Sequence, residues 1–440
     1  MKVFILIWFG QLVSLIGSGL TGFALGIWVY QRTGSVTDFA LISLFTFLPS
    51  ILLLPLAGAF VDRWNRRSAL LVSDCGAGIS TLTIAVLLFT GRLAVWQIYL
   101  AVAASSIFRA FHWPAYNAAI AQLVPKKHLS RASGMVQFAQ ASSQLIAPVL
   151  AGVLVGTIQV QGVILIDFAT FLFAFVTLLF VRIPKPKTTT ESEEEKKSLL
   201  HETLYGWTYI STRPGLLGLL IFYSFINFTL GIVEVLLTPL VLSFASTAFL
   251  GTILSIGGSG MLLGSVVISV WSGLKRRIYC ILGFTLLQGL LLCVAGFRPS
   301  APLIAAAAFI FLFSLPLILA SNQAIWFSKV APDVQGRVFA VQRTIGLSSL
   351  PCAYIMAGPL ADRIFEPLLT VNGPLAKSIG LLIGVGPGRG IGLVFIIMGI
   401  LNILAVAIAY LYPSLRLVED ELPDIIAEIA STTDEHKKIN

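Results

Sequence analysis

Twelve apolar runs divide the chain almost from end to end, each with about the twenty residues that a helix needs to cross the hydrocarbon of a bilayer. They lie near 5–29, 39–61, 69–90, 95–117, 133–157 and 161–181, and again near 215–241, 247–271, 278–297, 301–323, 338–361 and 391–412. In lipid every backbone N–H and C=O must find its partner inside the protein, so runs of this length predict spanning helices. Composition agrees. Of 440 residues, 57% are hydrophobic and 11% charged, with a mean hydropathy of +0.92. A soluble domain carries about 25% charged residues, and an exterior built from so few charges faces lipid rather than water. The first run, Phe4 to Tyr30, is too long for the apolar stretch of a secretion signal and has no convincing cleavage site, so it is read as a retained helix.

A polar stretch, 182–214, parts the runs into six and six. It sets Arg182, Lys185, Lys187, Lys196, Lys197 and Arg213 against Glu191, Glu193, Glu194, Glu195 and Glu202, the composition of a solvated linker followed by a short surface helix. The expected organisation is an N-terminal bundle over 1–181, a cytoplasmic linker over 182–214, a C-terminal bundle over 215–412 and a cytoplasmic tail over 413–440. Six helices, a linker and six helices suggest two homologous halves. The segment 378–390 is apolar but glycine-rich, either a broken entry to the last helix or a re-entrant loop.

The net charge of +9 does not point to nucleic acid, because the basic residues sit in short gaps rather than on one stripe. Arg63, Arg66 and Arg67, then Lys126, Lys127 and Arg131, then the linker, then Lys275, Arg276 and Arg277, then Lys329 and Arg337 fall on one side of the alternating topology. The other side holds Arg32, Arg92, Arg298, Arg363, Lys377 and Arg389. The positive-inside rule then places both termini in the cytoplasm, and the membrane expected is a bacterial inner (plasma) membrane. Cys75, Cys280, Cys293 and Cys352 lie in or beside apolar runs without metal spacing, and His112, His128, His201 and His436 are scattered. With no HExxH, GxSxG or nucleotide loop, an embedded enzyme finds no support, and neither metal nor cofactor is implied.

Several residues carry candidate mechanism. Gly58-Ala-Phe-Val-Asp62-Arg63-Trp-Asn-Arg66-Arg67 joins the second run to the third. Gly58 admits a neighbouring helix, and Asp62 is placed to meet a helix N-terminus. The eleventh helix begins on the same side near Arg337 and Arg343, so a contact made in one state and broken in the other would act as a conformational latch. Arg109 lies well inside the fourth run, where an arginine faces a cavity or a partner. Asp167 and Glu234 lie deep in their runs, as proton carriers or as interhelical hydrogen-bonding groups. Asp74, nearer the cytoplasm, is in reach of the Arg66/Arg67 cluster. Pro148 and Gly152 mark either a gating hinge or a packing kink, and Gly152 with Gly156 permits tight packing. Gly22/Gly26 and Gly260/Gly264 have interface spacing. Gln11, Asn227, Asn322 and Gln323 are candidate polar groups in an otherwise apolar cargo site.

The decapeptide beginning at Gly58 resembles the G-x-x-x-D-R-x-x-R-R loop of the major facilitator superfamily. The fold this implies is an all-α integral membrane protein of twelve helices in two six-helix bundles with pseudo-two-fold symmetry. The second half keeps Gly264 and Lys275-Arg276-Arg277 but no acid. Arg109-Ala-Phe-His-Trp-Pro-Ala115, Leu123-Val-Pro125, Ala147-Pro148-Val-Leu-Ala-Gly152, Gly336-Arg337-Val-Phe-Ala340 and Ala357-Gly-Pro-Leu-Ala-Asp362-Arg363 are similar to the macrolide-efflux and enterobactin-exporter branch. The resemblance implies a monomeric secondary transporter that exports a small amphiphilic molecule, drug-like or siderophore-like, by exchange with protons or another cation. It also implies that Arg109 belongs to proton coupling and that Pro148 and Gly152 form an antiporter-type fifth helix. The first run carries no acid between Met1 and Tyr30, a departure from antiporters that couple there. Flipping of a lysophospholipid or other lipid by the same fold is the alternative cargo reading.

Overall fold

The computed structural model describes residues 2–63, 65–125, 128–181, 199–270, 276–331 and 334–421, and every regular element among them is helical. The first half holds α1 (Lys2–Thr33), α2 (Val36–Arg63), α3 (Arg66–Phe89), α4 (Val95–Leu123) and α5 (Leu129–Phe180). The short α6 (Leu199–Ser211) follows, and then α7 (Pro214–Leu242), α8 (Thr247–Val270), α9 (Arg277–Phe297), α10 (Ala301–Lys329), α11 (Gln335–Pro359) and α12 (Arg389–Leu411). Among the described residues, ten helices are long and apolar enough to cross a membrane. The twelve runs are recovered once α4, 29 residues long, is added and α5 is divided. The 52 residues of α5 break at Gln159, where φ is 61° and ψ 178°, so the sequence gap between the fifth and sixth runs is a turn of one residue.

Local chemistry sets the other ends. Gly34 (φ 66°) and Gly91 (φ 68°) take the left-handed backbone that closes α1 and α3. Asn65 caps α3 by accepting from the Arg67 amide at 3.1 Å. Pro214 opens α7, where a missing N–H costs nothing. The glycine-rich segment is a folded connection and a broken entry to α12. A short helix, Ile379–Ile383, is followed by Gly384, Gly386 and Gly388 at positive φ, while Arg389 donates back to the Ile383 carbonyl at 3.1 Å.

The chain groups into two units. Unit 1 comprises Met1–Thr188, Val235–Ser255 and Ala357–Arg363; unit 2 comprises Thr189–Glu234, Ile256–Met356 and Ile364–Asn440. Unit 1 has two apolar clusters. One gathers Phe4, Leu70, Tyr116 and Leu178, the other Leu20, Leu25, Ile84, Ile98 and Ile164. Unit 2 is centred on Leu216, Leu220, Ile281, Ile325, Trp326 and Val338. Within it α9 and α12 cross through glycines. A Cβ on Gly289 would sit 2.8 Å from the Gly399 carbonyl oxygen, and one on Gly392 2.7 Å from that of Gly296. With little hydrophobic drive between helices in lipid, such close backbone approach is a main source of association.

The equivalent small-residue spacings read from the sequence divide. Gly260 and Gly264 do face a neighbour, since a Cβ on either would collide with the Phe309 or Phe313 carbonyl of α10. Gly26 packs on Phe39. Gly22 faces open space, as does Gly156, so neither mediates the helix contact expected of it.

Candidate functional site

Unit 1 encloses a cavity of about 270 Å³. One face of α1 supplies Gln11, Ser14, Ser18, Thr21, Gly22 and Leu25, which recur at the three- and four-residue steps of one helical stripe. Across from it stand Ile42 and Thr46 of α2, Asp74 of α3, Arg109, His112 and Trp113 of α4, and Asp167 and Phe171 of the second arm of α5. The wall is apolar with a few polar groups, as in small-molecule sites. Its volume is below the roughly 300–1,000 Å³ of a drug-sized pocket.

Four ionisable groups converge there. Asp167 is 2% exposed and accepts from the Ser18 hydroxyl at 3.3 Å, with the Thr21 and Thr81 hydroxyls beside it. Asp74 accepts from Gln11 Nε2 at 3.2 Å, and His112 Nε2 approaches its other oxygen to 3.3 Å. That contact is an ion-pair distance without hydrogen-bond alignment, since His112 Nε2 has no aligned partner. The imidazole lies nearly parallel to the Tyr116 ring, 5.8 Å between centroids. Arg109 acts electrostatically on both carboxylates. Its side chain is open to the cavity.

The structure therefore brings together three residues singled out from the sequence, Gln11, Arg109 and Asp167. Asp74, which reads in sequence as a partner for the Arg66/Arg67 cluster, meets Gln11 and His112, and Arg67 turns elsewhere. Arg67 donates to the Leu179 carbonyl at 2.6 Å. His112, Ser18 and Ser14 join the site without having been expected there. The stripe of small and polar residues on α1 is the signal that marks the two serines, whereas nothing in sequence spacing pairs His112 with Asp74.

The remaining candidates lie elsewhere. In unit 2 Glu234 accepts from the Tyr354 hydroxyl at 3.2 Å, and Asn227 is buried and donates to the Gly346 carbonyl at 3.1 Å. Asn322 is buried with its Oδ1 unpartnered among the described atoms, and Gln323 is exposed. Arg337 lies 5.8 Å from the Tyr205 ring of α6, and Arg343 is exposed on α11. The side chains of Gly58, Asp62, Arg63 and Arg66 fall outside the described residues. Within unit 1, Pro148 is an interior residue of α5. Gly152 packs on α8, where a Cβ would lie 3.0 Å from the Thr247 carbonyl oxygen and 3.2 Å from Gly251 Cα.

Comparison with known proteins identifies the architecture. The family model described as Major Facilitator Superfamily matches residues 7–350. Macrolide efflux protein A of Streptococcus pyogenes is 28% identical over 82% of this chain and 90% of its own length. Multidrug efflux pump Tap of Mycolicibacterium fortuitum is 25% identical over 81% of this chain and 89% of its own. Among solved structures, a bacterial homolog of the human lysosomal transporter Spinster, inward-facing and unoccupied, superposes with a TM-score of 0.69 at 14% identity, covering 94% of this chain and 96% of that one. The nucleoside transporter NupG gives 0.67 at 13%, covering 93% and 98%. At such identities the structural likeness establishes the fold alone.

Proposed function

Because this chain belongs to the Major Facilitator Superfamily, and so is a multi-pass membrane transporter rather than an enzyme, we propose that it exports a small amphiphilic molecule from the cytoplasm by alternating access, in exchange for protons. The relatives named for macrolide and multidrug efflux support the direction and the cargo class. The observation that carries the reading is the unit 1 cavity, an apolar wall holding Asp74, Arg109, His112 and Asp167 in one chamber. Carboxylates in such a wall exchange protons as the chamber is wetted from one side and then closed. An arginine that acts on both of them links the protonation of either to the other's charge.

In this reading the bundles are 1–181 and 215–412, joined by the cytoplasmic linker 182–214, with the tail 413–440 and both termini in the cytoplasm of an inner membrane and the protein working as a monomer. Asp167 and Asp74 carry protons, Arg109 couples them, and Glu234 with Tyr354 is a second titratable pair in unit 2. Gly58, Asp62 and the arginines after it form the cytoplasmic latch against the start of α11, near Arg337 and Arg343. Gln11 belongs to the cargo wall. Asn227 acts through its bond to the Gly346 carbonyl, as a tie between α7 and α11.

The test is efflux from proteoliposomes, screening macrolides and other amphiphiles under an imposed pH gradient. Export should stop when the gradient is collapsed. Continued export at the same rate after collapse excludes proton exchange while leaving the transporter reading intact.

A further inference from the structure

We infer that Asp362 is a gate-positioning residue of the transport cycle, holding the end of α11 against the start of α2 in one of the two transport states. Its carboxylate closes the N-terminus of a helix that begins more than three hundred residues earlier in the chain. Asp362 Oδ1 accepts from the Val36 amide at 3.1 Å, and Oδ2 accepts from the Thr37 amide at 2.7 Å, the Thr37 hydroxyl at 2.7 Å and the Ser35 hydroxyl at 3.1 Å. Ser35 in turn accepts from the Asp38 amide at 3.1 Å. The first turn of a helix has orphan N–H groups and a partial positive charge. Here they are met by an anion from a distant part of the chain rather than by a local cap alone.

The contact is built at close range. A Cβ on Gly358 would collide with Thr37 Cα, with its amide nitrogen 2.9 Å away. Gly358 and Asp362 both meet Thr37. The glycine lets the backbones approach and the acid then bonds across the gap. This is the same Gly-x-x-x-Asp-Arg spacing as Gly58 to Arg63, at the opposite end of α2. Just past Pro359 the helix widens into a π-turn over Leu360–Phe365, the irregularity that functional sites often carry.

The grouping of the chain gives the contact its role. Ala357–Arg363 belongs to unit 1, while the residues before Ala357 and after Arg363 belong to unit 2. A seven-residue piece of the second half is thus packed with the first, and Asp362 is its polar anchor. If the bundles rock, as the proposed transport cycle requires, this anchor has to be released once per cycle. Its strength then sets the balance between the two states.

The inference rests on the alternating-access reading but is tested without cargo. In a background with Cys75, Cys280, Cys293 and Cys352 replaced, a reporter cysteine at Ser105, in the cavity wall, is labelled with a membrane-impermeant maleimide from each side of the membrane. Asp362→Ala should change the two rates reciprocally, raising labelling about tenfold on the face near α2's start and lowering it on the other. Asp362→Asn keeps one acceptor oxygen and Thr37→Val removes one donor, so both should shift the rates in the same sense by smaller factors. Unchanged rates in Asp362→Ala, or an equal rise on both faces, overturns the inference, the second because it marks general loosening. Arg92→Cys, on the loop assigned to the same side, reports orientation separately. If that cysteine labels only from the cytoplasm, the assigned topology is inverted, yet the reciprocal change still decides the role of Asp362.

Discussion

Gly22 offers a direct way to ask whether cargo occupies the unit 1 cavity, because its side-chain position is empty space in a cavity wall. A Cβ there meets nothing within 4 Å, and leucine is a better helix former than glycine by somewhat under the roughly 0.8–1 kcal/mol that separates alanine from glycine, so the folded protein should be no less stable. The new side chain excludes roughly four non-hydrogen atoms of a bound molecule. At about 0.3 kcal/mol per atom for a drug-sized ligand this is about 1.2 kcal/mol, or roughly a sevenfold rise in the half-saturating cargo concentration. Alanine excludes about one atom, so by the same arithmetic it should change the value less than twofold. The assay is concentration-dependent efflux from proteoliposomes, paired with thermal unfolding in detergent. Gly26→Leu supplies the contrast one turn later. Its Cβ would stand 2.8 Å from the Phe39 ring, so this variant should lose stability. Unchanged half-saturation in a stable Gly22→Leu protein would refute the assignment of this cavity to cargo.

Gly296→Ala should destabilise unit 2 by about 1–3 kcal/mol, the cost of overpacking a closed contact, because its methyl would press on the Gly392 carbonyl; an unshifted thermal midpoint argues against the crossing described. Gln159→Gly should raise stability by on the order of 1 kcal/mol, since a backbone at φ 61°, ψ 178° is strained for any side chain, and a lower midpoint would contradict that strain. Asp62→Asn should slow efflux while membrane insertion stays normal, as the Gly58 to Arg67 motif requires; wild-type turnover in the inserted variant would remove Asp62 from the latch.

Much of the fold can be read along the chain because the bilayer imposes a length on every crossing. The twelve runs are all helical in the structure, and the gap at 158–160 proves to be the one-residue turn at Gln159. A helix can run further than its run, as α10 does through Ile325 and Trp326 to Lys329. The candidate site is legible where burial alone is diagnostic. Arg109 and Asp167 are costly inside a membrane, and both face the cavity. Pairing is where one-dimensional reading stops. Asp74 sits seven residues from Arg67, yet the packing of α3 on α4 hands it to His112. Gly22 and Gly26 share a helix face and a spacing, but one lines a void and the other an aromatic ring. Asp362 lies in a quoted motif, but its partners at 35–37 belong to a helix on the far side of the sequence.

The turn at Gln159 also has a mechanical meaning. A join of one residue has no slack, so the ends of the two arms of α5 stay together wherever either arm goes. Pro148 and Gly152 sit on one arm, where Gly152 touches α8, and Asp167 sits on the other, in the cavity wall. Any displacement of the first arm's end therefore has to be matched at the start of the second, the arm that carries the carboxylate.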